Sequence, residues 1–311
     1  MAPKPTLSAY RGGAASSQPD PQTRSQSPEY AHGECWTVAP SDLVLYGNGK
    51  GYGVFAARKI EAGETIIEDE ALIVSERMPG LASYTEYIID GFRNLSPEEQ
   101  KEYLSKFTHS KSEADLLRLA REYGQDIGNV PESREEALEI GQVVAIFRNN
   151  AFTIAQGATA FCKDAARLNH SCVPNAMHVD DQVNDCYVVR ATREINEGEE
   201  LLLSYVPEMQ PKADRQSQLE KYGFTCTCVA CEDPVYGAET EPRRRELKDL
   251  AGQVASAECV EQYPNTAEYG CANLLKPEGI PAALVRMLEI LEQEPAMLVD
   301  KAETARNLAQ R

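Results

Sequence analysis

The sequence predicts an α+β chain of short strands with helices inserted between and after them, and three observations carry that expectation. Apolar runs of strand length fall at 43–45, 60–67, 71–74, 177–180, 186–190 and 201–205, parted by Gly- and Asn-bearing turns. Two Ser-x-x-Glu starts, Ser96 to Glu99 and Ser133 to Glu136, open amphipathic stretches in the middle of the chain. Leu247, Leu250 and Val254, then Leu284, Met287, Leu288 and Leu291, mark two helical stripes in 237–311.

With 311 residues, 42% of them hydrophobic, the chain can bury one large core or two small ones. It carries no apolar run of membrane-spanning length and no secretory apolar core at its N-terminus, so a membrane role is not expected and an intracellular place, nucleus and/or cytoplasm, is. In such a compartment nine cysteines are thiols or metal ligands. Net charge is −18, with 31 acids against 19 bases in residues 41–231. Direct nucleic-acid binding is disfavoured, because phosphate neutralisation needs a basic face. An acidic surface serves solubility in the first place and would also suit a lysine-rich partner.

Taken in order, residues 1–33 are rich in Pro, Ser, Gln and Gly and read as a disordered tail. Residues 47–56, Gly-Asn-Gly-Lys-Gly-Tyr-Gly-Val-Phe-Ala, bring glycines between two strands. No Lys-Ser/Thr pair opens a helix there, so this is not a phosphate loop, and a strand follows where a dinucleotide fold needs a helix. A plain hairpin or a close approach of backbone to a ligand remain. After Ser96, Tyr103, Leu104 and Phe107 fall on one helical face. After Ser133, Ala137, Ile140, Val144 and Phe147 do the same. His178 reads as a strand-face residue, and Arg243–Arg245 as a solvated helix start.

Three segments carry chemistry. Residues 167–175, Arg-Leu-Asn-His-Ser-Cys-Val-Pro-Asn, are too polar for a core strand and suit a ligand-holding web of hydrogen bonds. Residues 198–205, Gly-Glu-Glu-Leu-Leu-Leu-Ser-Tyr, end an apolar run on Tyr205. Residues 222–231 place Cys226, Cys228 and Cys231 within six positions. Three thiols so close call for zinc, whose fourth ligand the spacing leaves open among Cys162, Cys172, Cys186, His170 and His178. Cys35, Cys259 and Cys271, with Cys162 and Cys186 where they are not ligands, read as buried or partly buried thiols.

In that order and approximate spacing the three segments resemble the SET-domain protein lysine methyltransferases, most nearly the SMYD group and related fungal SET proteins. The resemblance implies small curled β-sheets with a pseudoknot over 41–205, a helical insert at about 80–150, a zinc-binding post-SET segment at 206–234 and a helical extension at 235–311. The cysteine-rich MYND module of SMYD proteins is missing, since 75–161 contain no cysteine. S-adenosylmethionine is the implied cofactor, with S-adenosylhomocysteine as product. It would be held by Lys50, Gly51, Tyr52 and Gly53, by Asn150, Asn169 and His170, by Tyr205, and by Phe224 stacking on adenine. Tyr205 is the implied catalytic residue. Phe152 and Tyr222 would line the lysine channel, although Phe152 also reads as ordinary core. The resemblance selects Cys172 as fourth zinc ligand beside Cys226, Cys228 and Cys231. Arg167, Ser171, Pro174 and Asn175 would lock the pseudoknot. The implied partner is a lysine-bearing protein, a histone among the candidates, met by a monomer. The competing expectation is a catalytically silent SET module that acts as an interaction scaffold.

Overall fold

A computed structural model describes residues 35–44, 50–75, 84–109, 112–127, 131–154, 158–181, 186–262, 280–294 and 305. The tail at 1–33 and Cys271 lie outside them. The described chain divides into two compact units. One holds the residues up to Asn169 with His178–Leu201 and Lys221–Gly223; the other holds His170–Met177, Leu202–Glu220 and the residues from Phe224 on.

In the first unit, β1 (Trp36–Val44) and β2 (Lys50–Ala56) form an antiparallel pair across the glycine-rich segment. A second sheet has the order β3 (Thr65–Asp69), β9 (Cys186–Ala191), β8 (Ala176–Asp181). A third has the order β4 (Ala71–Ser75), β6 (Thr159–Cys162), β5 (Phe152–Thr153). The apolar run expected at 60–67 is therefore split. Ile60 makes an isolated bridge to Ile195, and the strand begins only at Thr65.

The expected insert is four helices: α1 (Tyr84–Arg93), α2 (Pro97–Leu104), α3 (Glu113–Ile127) and α4 (Arg134–Asn150). At Ser96 the full capping box forms: its hydroxyl accepts from Glu99 N–H at 3.3 Å, and Glu99 accepts from Ser96 N–H at 2.7 Å. At Ser133 only half of it forms. The hydroxyl accepts from Glu136 N–H at 3.1 Å, but the Glu136 carboxylate takes the N–H of Glu132 at 2.7 Å. Phe107 lies beyond the end of α2 and is exposed, so it does not share the face of Tyr103.

The core under these helices is one cluster that includes Ile73, Ile88, Phe92, Tyr103, Tyr123, Ile140, Val144, Phe147 and Phe161. Each such side chain, once buried, stabilises the fold by about 1.5–3 kcal/mol. Tyr103 packs between Phe92 and Phe161, at 5.3 and 4.5 Å, and donates its hydroxyl to the Val143 carbonyl at 2.8 Å.

Strand β7 (Asn169–His170) pairs with β10 (Leu202–Leu203). The strand expected to reach Tyr205 stops at Leu203. Short helices α5 (Lys212–Leu219) and α6 (Val229–Glu232) precede α7 (Pro234–Gln262) and α8 (Ile280–Leu291). Leu247 and Val254 of α7 bury against Leu284, Met287 and Leu291 of α8, so the two predicted stripes face each other. Arg244, expected to be solvated, is fully buried. Among the described residues no helix is long and apolar enough to cross a membrane.

The chain leading to Asn169 is fixed by Asp69. Its buried carboxylate accepts from the N–H groups of Asp164 and Ala165 at 2.6 and 3.0 Å, which starts the 3-10 turn Ala165–Arg167. Burial, helped by the charge of Asp164, pushes the Asp69 pKa up to about 7. A carboxyl raised in the folded state stabilises fully below its unfolded value, and loses that contribution as pH rises through about 7. Urea unfolding should therefore show Asp69→Asn flattening the stability profile from pH 4 to 7. Asp69→Ala, which orphans two buried N–H groups, should cost about 2–4 kcal/mol.

Candidate functional site

The first unit contributes a backbone cradle around Gly53. Asn169 directs both hydrogens of Nδ2 inward, to the Tyr52 carbonyl at 2.9 Å and the Glu200 carboxylate at 2.8 Å. A Cβ at position 53 would meet Glu200 Oε1 at 2.1 Å and Asn169 Nδ2 at 3.0 Å. A larger residue there would have to displace the Glu200 carboxylate from its bond to Asn169. Glu200 was not singled out in the sequence; the signal was its place in the Gly-Glu-Glu turn directly before the apolar run. Lys50 and Gly51 stand in β2, and their side-chain environment is outside the described set. Tyr52 is exposed.

Asn150 closes α4. Its Nδ2 donates to the carbonyls of Phe107 at 2.8 Å and Ile146 at 2.7 Å, so its amide group is committed to holding the 107–109 turn. Phe152, half-buried, packs on Tyr187 at 4.7 Å and on His178 at 6.0 Å. His178 in turn stacks on Tyr187. His178 is therefore a member of an aromatic group, more than the strand-face residue expected. Tyr222 is half-buried, and burial raises its phenol pKa, which keeps the hydroxyl neutral.

The second unit builds around His170. This imidazole is 1% exposed, and burial lowers its pKa to about 4, so it is neutral. Its Nδ1 accepts the backbone N–H of Tyr205 at 3.0 Å, which places the ring proton on Nε2, 3.4 Å from Cys172 Sγ. Both ring nitrogens are thereby engaged by protein. The rings of His170, Tyr205 and Phe224 form one group, with centroids 5.3 Å (His170–Tyr205), 5.9 Å (His170–Phe224) and 6.4 Å (Tyr205–Phe224) apart. Around them Ser171 N–H donates to Leu203 O at 2.9 Å, and Asn175 Oδ1 accepts Leu202 N–H at 2.8 Å. Tyr205 is thus positioned, past the end of its strand, by the His170 side chain on its own N–H and by the bonds of Ser171 and Asn175 to the strand before it.

Beside the ring group, the sulfurs of Cys172, Cys226, Cys228 and Cys231 all lie within 4.8 Å of one another. Cys162 is buried in the first unit and takes no part. Cys172 Sγ stands 3.8 Å from Cys226 Sγ and 3.7 Å from Cys231 Sγ. A zinc tetrathiolate with bonds of about 2.3 Å has edges of about 3.8 Å, so the donor set fits zinc. Hydrogen bonding by Cys172 holds Cys228 and Cys231 below the ordinary thiol range, while Cys172 and Cys226 are pushed above it, so without a cation the four sulfurs do not ionise together.

Charge supports the same fit. Arg215 and Arg244 are fully buried. Arg215 Nη2 lies 3.9 Å from Cys231 Sγ, and the Glu241 carboxylate is 3.3 Å from Nη1. Arg244 donates to the carbonyls of Glu208 at 2.5 Å and Cys172 at 3.2 Å and has no ion pair among the described residues. Buried guanidinium groups need anions nearby. Four thiolates on one divalent ion leave a net charge of −2, which two arginines balance. Gln216 completes the surround, accepting Cys226 N–H at 3.1 Å and donating to Cys231 Sγ at 3.5 Å.

A family model for the SET domain matches residues 51–206. N-lysine methyltransferase SMYD2-B of Xenopus laevis is 31% identical over 168 residues, which is 51% of this chain and 36% of that protein. Histone-lysine N-methyltransferase set5 of Schizosaccharomyces pombe is 26% identical over 196 residues, 59% of this chain and 57% of that one. N-lysine methyltransferase SMYD2 of Homo sapiens is 31% identical over 146 residues, 44% and 32% of the two chains. The chain thus spans from about a third to just over half the length of these relatives.

Removal of the arginine charge should show in the metal. Arg215→Gln, purified folded and zinc-loaded, should surrender zinc to a chromophoric chelator on the order of tenfold faster than wild type. Cys228→Ser should be isolated without stoichiometric zinc. Metal retention unchanged in both would exclude the tetrathiolate.

Proposed function

The chain belongs to the SET-domain family, and on that premise we propose that it methylates the side-chain amine of lysine in a protein substrate. The observation that carries this is the fixing of Tyr205, two residues past β10, by its N–H to His170 Nδ1 and by its ring against His170 and Phe224. S-adenosylmethionine, when bound, supplies an electrophilic methyl group on sulfur and leaves as S-adenosylhomocysteine.

The chain's part is to present a neutral amine in line with that methyl. A free lysine has a pKa near 10.4, so at pH 7 roughly one in 2500 is neutral, a cost of about 4–5 kcal/mol. Phe152 and Tyr222 would line an apolar channel that penalises the ammonium and lowers this cost. Tyr205 would orient the amine through its hydroxyl. No protein base is needed, and His170, with both nitrogens engaged, is not one. Alignment and exclusion of water are the sources of rate.

For the cofactor, the residues proposed are Lys50, Gly51, Tyr52, Gly53, Asn169 and His170, with the Phe224 ring to stack on adenine. Asn150 would act by holding the adjoining turn. We extend the reading to the pseudoknot and to a zinc-bearing post-SET segment over 206–234. The substrate class, a histone or another intracellular protein, follows the histone-lysine and N-lysine activities named for the relatives.

The test is transfer of labelled methyl from S-adenosylmethionine to core histones and whole-cell protein. Label should enter a discrete band and fall roughly a hundredfold or more in Tyr205→Phe with folding and zinc intact. Absence of label in any band, from zinc-loaded wild type that binds S-adenosylhomocysteine, would replace the enzyme by the silent scaffold.

A further inference from the structure

We propose that Asn149 is a positioning residue for Tyr222, clamping the Lys221–Gly223 segment from the end of α4; this rests on the reading of Tyr222 as part of the lysine channel. The sequence drew attention to the neighbouring Asn150 and passed over Asn149. The hydrogen bonds divide the work differently. Asn149 Nδ2 donates to the Lys221 carbonyl at 3.0 Å, 72 residues away in sequence. Asn149 Oδ1 accepts from Thr108 Oγ1 at 3.1 Å and from His109 N–H at 3.0 Å. One amide thus ties together the end of α4, the 107–109 turn and the segment bearing Tyr222.

A second observation reaches the same segment from its other side. Gly223 has φ +75°, and a Cβ there would fall 2.1 Å from His109 Nδ1. The space a side chain at 223 would need is therefore taken by the His109 ring, and the backbone holds a conformation that other residues adopt only with strain. The turn carrying His109 is itself held by Asn150, through the Phe107 carbonyl. Tyr222 is bracketed: its preceding carbonyl is held by Asn149 and its following residue is pressed on His109. With both flanking peptides fixed, the direction in which its ring leaves the backbone is fixed as well.

Hydrogen-exchange mass spectrometry on the zinc-loaded full chain, beside steady-state kinetics with a lysine peptide, tests this. Asn149→Ala removes every contact of the amide. Asn149→Asp keeps the acceptor for Thr108 and His109 and loses only the donor to Lys221. Amides in 220–226 should exchange roughly five- to tenfold faster in both variants, while those in 107–109 loosen only in the alanine variant. KM for the peptide should rise by a similar factor, with zinc content unchanged. Wild-type exchange across 220–226 in both variants would overturn the proposal. So would faster exchange with an unchanged KM. If wild type transfers no methyl at all, the enzymatic reading fails by itself, and the exchange rates alone decide whether the clamp exists.

Discussion

A charge constraint governs the second unit. Four thiols crowd into one buried space, and two guanidinium groups are sealed in beside them with one ion pair, to Glu241, among the described residues and several carbonyls for company. Without a cation among the sulfurs, few of them can ionise together; without ionised sulfurs, the arginines are short of counter-charge. A divalent ion resolves both conditions at once. Cys172 sits two residues past His170 and hydrogen-bonds its ring, and that ring holds the amide of Tyr205. The placement of the tyrosine is therefore tied, through two contacts, to the state of the sulfur cluster.

The first unit answers to apolar burial. Its helices share one core with strands β4 and β6, and the polar exceptions have assigned tasks. Asp69 holds the turn that delivers Asn169, and Asn169 holds the backbone at Gly53. Each uses short, directional bonds to main-chain atoms, which locate a backbone more narrowly than packing does.

Much of this was legible in the sequence. Ser96 and Ser133 announced helices because capping chemistry is local, and the α7 and α8 stripes announced their mutual packing because periodicity is local too. The three-cysteine run announced a thiol cluster, while Cys172 came from family resemblance; no spacing rule joins residues 54 positions apart. What escaped depends on distant partners. Glu200 and Asn149 are ordinary surface residue types, and only the fold reveals that their side chains end on Asn169 and on the Lys221 carbonyl. Glu136 shows the limit in miniature: the residue was read correctly as a cap, yet its carboxylate serves Glu132, one position upstream of the expected amide. Arg244 shows it again, since nothing in a run of three arginines says which one is buried.

His170 is the residue a chemist would first suspect of moving protons, and its surroundings rule that out. With Nδ1 accepting from an amide and Nε2 turned to sulfur, it is an architectural bolt. The proton inventory of the reaction then rests with the incoming lysine. Selectivity among lysines would follow their own basicity and the ease with which each is drawn out of water, so a site already acidified by neighbouring positive charge would be the readier target.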